Sequence, residues 1–138
     1  MQLSRAEPLA LLLLFACGFC RELQMLFLRA CWIIMIRKAF LMTLKAGSQE
    51  EYAKRHNPIW PELQAVLKDH GVSKYSIFLD RSTDLLFAYA EIESEELWQQ
   101  IAETEPCHRW WAHMKDLMLT NPDDSPLAIS LPEVFHLE

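Results

Sequence analysis

The chain has 138 residues, 51% of them hydrophobic and 23% charged, which is enough for one domain with a real core and too apolar for a disordered chain. Its 13 basic and 19 acidic residues give a net charge of −6, unevenly spread. The first 34 residues hold Arg5, Arg21 and Arg29 against Glu7 and Glu22, so the 10 basic and 17 acidic residues that follow leave the rest at −7. An acidic domain of this kind argues against nucleic acid as a partner, because phosphates demand a basic surface.

Residues 1–34 differ from the rest in pattern as well. Pro8 to Cys20 is an apolar run preceded by a single Arg5, in outline a signal-peptide core, and Leu14-Phe15-Ala16-Cys17 resembles a lipoprotein processing site. A second apolar run, Met25 to Met35, is interrupted by Arg29. Neither reaches the ~18–20 residues of a membrane span. The expectation is an N-terminal extension, either signal-like or an artefact of an upstream start, ahead of a domain over residues 35–138. Membrane contact would require that extension to be a genuine anchor. Cys17, Cys20 and Cys31 all lie in it, and a lone Cys-x-x-Cys in an apolar run is a weak metal or redox signal. Cys107 is left alone in the domain, unable to build an internal disulfide, so a reducing, cytoplasmic setting is expected.

Within the domain, Ile36 to Leu44 has no breaker and reads as a strand. Ser48 is placed to cap a helix with Glu50 and Glu51 in its first turn, where the dipole favours anions. That helix should break at Asn57-Pro58 and resume at Trp60-Pro61, with Pro61 in the first turn. The second piece presents Leu63, Val66 and Leu67 on one face and stops at Gly71. Lys74–Asp80 and Leu85–Ile92 make a hairpin. Ser94 caps a short helix, Thr104-Glu105-Pro106 starts another that runs to just before Asn121-Pro122, and Ile129 to Leu137 is a last strand, irregular at Pro132.

The order β-α-β-β-α-β is the split βαβ arrangement of an α+β fold: one antiparallel sheet with helices on a single face. Because Phe, Ile and Leu occur on both faces of these strands, the open face needs a cover. A second copy of the chain is the economical one, so a homodimer is expected.

Several chemistries have no motif. There is no HExxH, Cys-His quartet, phosphate loop or GxGxxG. His108 and His113 are five apart, roughly 500° of helix, and are no natural metal pair. No metal and no cofactor is expected. Cys107 beside His108 points ~100° away from it, which leaves Cys107 as a small buried hydrophobe rather than a nucleophile.

What remains is general acid–base chemistry in an aromatic pocket. Tyr52 and His56 are four apart and share a helix face, with Trp60 four further on beyond the break. His56 is the best acid/base candidate, since imidazole titrates near neutrality. Spacing alone gives equal weight to a helix-end histidine that satisfies a free carbonyl. Trp110 and Trp111, adjacent on a helix, face different ways, and aromatic faces suit the C–H side of a sugar ring. Core packing explains either of them, and Tyr75, equally simply.

The runs MIRKAF (Met35–Phe40), EEYAKRHNPIWPEL (Glu50–Leu63), RWWAHM (Arg109–Met114), NPDDSP (Asn121–Pro126) and EVFHL (Glu133–Leu137) resemble the L-rhamnose mutarotase family, in its order and spacing. The resemblance covers residues 35–138 and does not extend to 1–34. It implies a dimeric α/β barrel of ferredoxin-like protomers and a cofactor-free enzyme that interconverts the α and β anomers of L-rhamnose. By resemblance His56 is the proton donor, Tyr52, Tyr75, Trp110 and Trp111 bind the sugar, and Trp60 is a packing residue at the helix break. Asp124 departs from the asparagine usual in that loop. Two other readings belong to this fold or composition: a cofactor-free oxygenase using the same pocket, and a non-catalytic sugar-binding protein.

Overall fold

The computed structural model describes residues 35–137. The features read in residues 1–34, including the signal-like run and the Cys-x-x-Cys, lie outside the described residues. Strand β1 (Ile36–Thr43) leads into helix α1 (Gln49–Arg55) and, after a break, α2 (Pro61–Asp69); β2 (Val72–Asp80) and β3 (Leu85–Ile92) form the hairpin; α3 (Glu95–Ile101), α4 (Glu105–Met114) and β4 (Ile129–Leu131) complete the domain. The sheet order is β2-β3-β1-β4 with every neighbour antiparallel, so β3 is inserted between β1 and β2 and the fold is ferredoxin-like. Among the described residues no helix is long and apolar enough to cross a membrane.

Strand alternation sorts the two faces. In β3, Leu86, Ala88, Ala90 and Ile92 are buried while Phe87 is 41% exposed. Register carries this across the sheet: Met42 lies opposite Leu86, and on the other side of β3 Ile77 lies opposite Ala88 and Tyr75 opposite Ala90. Leu63, Ile101, Cys107, Trp110 and Met114 from the helices complete the core on that face. The opposite face is open. Phe78, Phe87, Leu41 and Ile129 stand in one row across all four strands, and Phe78 and Ile129 are 63% and 65% exposed.

Local chemistry accounts for the start of α3 and both ends of α2. The Ser94 hydroxyl accepts from the Leu97 N–H at 3.2 Å and starts α3. Gly71 ends α2 with φ +75°, a left-handed position where a Cβ would meet Glu93 Cβ and Cγ at 2.8 Å. Pro61 opens α2, and the break before it contains a cis Asn57–Pro58 bond.

Three expectations need correction. Ser48 occupies the N-cap of α1 but makes no side-chain cap bond, because its backbone is helical rather than extended (φ −92°, ψ −2°). Helix α4 stops at Met114 instead of continuing to Asn121: the Lys45 N–H donates to the Leu117 carbonyl at 2.8 Å and the Leu119 N–H to the Thr43 carbonyl at 2.9 Å, which draws this stretch into bridging with β1's end. The last strand is only Ile129–Leu131, since Pro132 has no N–H to continue the ladder.

Candidate active site

A cavity of about 860 Å³ lies between the sheet's covered face and the helices. Tyr52, His56, Tyr75, Trp110 and Trp111 all line it, so the five residues singled out in the sequence come together. They arrive from three elements. Helix α1 and its C-terminal end supply Tyr52 and His56 one turn apart, β2 supplies Tyr75, and α4 supplies the tryptophans.

The α1 side is a chain of touching rings. Tyr52 and His56 have centroids 4.3 Å apart, Trp110 meets His56 edge-on at 5.0 Å, and Trp60 meets Trp110 edge-on at 5.2 Å. Trp60 does not reach the cavity; it packs on Trp110 and His113, in keeping with a packing residue at the break. Trp110 is buried, whereas Trp111 is half-buried and stacks on His108 at 5.7 Å.

Across the cavity a second aromatic cluster forms over β3. Phe40 and Tyr75 come from strands on either side of β3, ~10 Å apart by strand spacing, yet their rings approach to 6.3 Å. The small side chains of Ala88 and Ala90 leave room for them to lean together. Trp98 of α3 closes the group, 6.2 Å from Phe40 and 6.0 Å from Tyr75.

His56 has a defined protonation geometry. Its Nδ1 lies 3.0 Å from the Tyr52 carbonyl. A carbonyl can only accept, so Nδ1 carries the proton and the lone pair of the neutral ring is on Nε2. Burial pushes the pKa of His56 below the ordinary imidazole value, and the bond to Tyr52 opposes this by less. His56 thus satisfies a helix-end carbonyl, and that bond fixes its tautomer. His70 makes the same contact to Val66 at 2.8 Å at the end of α2, but it does not line the cavity. Location, not the carbonyl bond, distinguishes His56.

The two phenols and the thiol of the site stay neutral near pH 7. Burial raises the Tyr52 phenol, with Tyr75 adding to it, and raises the Tyr75 phenol, with Cys107 adding to it. Tyr75 keeps 38% of its surface open and lines the cavity. Among the described residues neither phenol has a protein hydrogen-bond partner, which leaves both for a ligand. Burial also lifts the Cys107 thiol to about 11, far from a reactive thiolate. Among the described residues no three metal-binding side chains converge.

Lys38, Phe40 and Trp98 also line the cavity and were not singled out from the sequence. The available signal was the alternation of β1, in which Lys38 shares a face with Phe40 and Met42. The loop departure at Asp124 stays away from the cavity. Its backbone is left-handed (φ +67°), a conformation aspartate tolerates nearly as well as asparagine, and its carboxylate pairs with Lys115 at 2.9 Å.

A family model described as L-rhamnose mutarotase matches residues 37–137. L-rhamnose mutarotases of Salmonella dublin and Salmonella typhi are 59% identical over 104 residues, which is 75% of this chain and 100% of each relative. The crystal structure of the L-rhamnose mutarotase from Formosa agariphila is 45% identical with a TM-score of 0.69, over 75% of this chain and 99% of that one. A dimeric ferredoxin-like protein from an uncultured marine organism shares the fold alone, at 13% identity and TM-score 0.51, over 75% of this chain and 93% of that one. With matches of this extent and identity, the chain belongs to the L-rhamnose mutarotase family.

Proposed function

We propose that the chain interconverts the α and β anomers of L-rhamnopyranose, an isomerase of the racemase/epimerase type, with residues 35–138 carrying the activity. The observation that carries the chemistry is a neutral imidazole fixed by Nδ1 and presenting Nε2 to a cavity shared with two neutral phenols.

Anomer exchange opens the hemiacetal. Nε2 of His56 takes the proton from the anomeric hydroxyl, the C1–O5 pair moves to O5, and C1 becomes an aldehyde. A phenol of Tyr52 or Tyr75 supplies the proton to O5. The C1–C2 bond turns, the phenolate recovers its proton from the 5-hydroxyl as O5 attacks the other carbonyl face, and the imidazolium returns its proton to O1. His56 is thus acceptor in opening and donor in closure. General acid–base assistance of this kind is worth ~10²–10⁴ in rate, useful for a reaction that already proceeds slowly in water. Trp110 and Trp111 cover the sugar's apolar face and its 6-methyl group.

We also infer a homodimer formed through the open sheet face. The row Phe78, Phe87, Leu41 and Ile129 supports it, as do Val134, Phe135 and Leu137, exposed beyond β4.

Neither alternative is favoured. Likeness to other solved structures at 11–15% identity speaks only for the fold, while the relatives at 59% identity bear the mutarotase name. Saturation-transfer NMR with L-rhamnose, L-fucose and D-glucose tests the reading. L-rhamnose exchange should be accelerated well beyond the other two; saturable binding without acceleration would point to the sugar-binding reading instead.

A further inference from the structure

We propose that Lys38 is a specificity-determining residue for the sugar: its ammonium, held by Glu95, donates its remaining N–H to one of the hydroxyls at C2, C3 and C4. The idea rests on the mutarotase reading for its ligand, a reducing monosaccharide, but not on the roles given to His56 or the tyrosines.

Lys38 sits where its strand should be apolar. β1 is an interior strand of the sheet, and Lys38 shares its covered face with Phe40, Met42 and Leu44. A methionine would fill the same space without desolvating a charge, and an ion pair in such a place is a weak source of stability. Its presence is explained by what it faces. Lys38 lines the cavity, and it lies opposite Ala90, whose other neighbour is Tyr75. The lysine and the phenol therefore flank the small Ala90 side chain in one row of the sheet.

The ammonium is also fixed in place. Nζ lies 2.8 Å from Oε1 and 2.8 Å from Oε2 of Glu95, at the start of α3, and the lysine side chain is only 24% exposed. A lysine has three N–H donors and no acceptor. Two are directed at the carboxylate. The third is left for a hydroxyl oxygen, a group present all round the edge of a sugar. The aromatic faces read the C–H side of the ring as a whole, whereas a positioned donor reads the direction of a single hydroxyl.

The test compares unmodified protein with Lys38→Met on L-rhamnose and its 2-deoxy, 3-deoxy and 4-deoxy analogues. Exchange is read by saturation-transfer NMR and binding by tryptophan fluorescence. With L-rhamnose, Lys38→Met should weaken binding and kcat/KM by about 10- to 100-fold, the range for a hydrogen bond to a charged donor. On one of the three analogues the substitution should change little, because the hydroxyl it served is already missing. An equal loss on all four sugars, or no loss on any, would overturn the proposal and leave Lys38 a structural ion pair. If Lys38→Met does not fold, Lys38→Gln is measured on the same sugars, and the same pattern of losses supports or overturns the proposal. Failure of the mutarotase reading looks different: the unmodified protein would bind L-rhamnose without speeding its exchange, and the Lys38 comparison would then be decided on binding alone. No binding of any of the sugars would sink both.

Discussion

The pH dependence of anomer exchange should follow the neutral form of His56. Burial holds its pKa below the ordinary imidazole value of about 6.5, so less than about a quarter of the ring is protonated at pH 7. The enzymatic part of kcat/KM should therefore rise with pH, pass its midpoint below about 6.5 and be nearly level by about pH 7.5. The phenols of Tyr52 and Tyr75 are raised, and Cys107 is lifted to about 11, so they should add no falling limb before about pH 9. The assay is saturation transfer between the two anomeric protons of L-rhamnose, with the uncatalysed rate subtracted at each pH. Nitrogen-15 shifts of the His56 ring should report a proton on Nδ1 at pH 7. A rate that grows as pH falls through 6.5, or a ring protonated on Nε2 alone, would refute the reasoning. The same shift has a sign for stability. The unfolded chain takes up the His56 proton at a higher pH than the folded one, so stability from keeping it neutral is fully present above the ordinary value and is lost as pH falls from there through the lower folded value.

Three further outcomes follow from the geometry. Tyr75→Phe removes a hydroxyl with no protein partner among the described residues, so melting should hold; a fall in kcat/KM of roughly 2- to 10-fold, the worth of one neutral hydrogen bond, leaves Tyr52 as the donor to O5, and one of about 10²- to 10⁴-fold makes Tyr75 that donor. Gly71→Ala puts a Cβ 2.8 Å from Glu93 Cβ and Cγ at a φ of +75°, and urea melts should show a loss of about 1–3 kcal/mol with activity of the folded fraction unchanged. Phe78→Glu places a charge in the open apolar row of the sheet; light scattering should show the mass fall from dimer to monomer, and an unchanged dimer would move the interface elsewhere.

Much of the fold was legible because its punctuation is local. The break at Asn57-Pro58, the cap at Ser94 and the left-handed stop at Gly71 are each set by one or two residues, and the hairpin strand Leu85–Ile92 matches the residues read as strand. The miss after Met114 has the opposite cause. Leu117, Met118 and Leu119 continue a helical pattern, but carbonyls and N–H groups of Thr43 and Lys45 give that backbone better partners from across the fold. Local propensity cannot see a backbone bond between Lys45 and Leu117, far apart in the chain. In the site, the spacing of Tyr52 and His56 placed them on one face, and the resemblance supplied Tyr75 and the tryptophans. Lys38 and Trp98 were missed because which face of β1 is covered, and where α3 lands on it, depends on packing rather than on either residue's neighbours. Trp110 and Trp111 both border the cavity, one buried and one half-buried.

The central claim is that His56 carries the proton in anomer exchange. Saturation-transfer NMR of L-rhamnose with His56→Gln, a neutral side chain of similar reach, tests it most directly. The expected result is a folded protein whose tryptophan fluorescence still responds to sugar and which has lost about 10²- to 10⁴-fold of its enzymatic exchange rate. An exchange rate equal to that of the unmodified chain would contradict it.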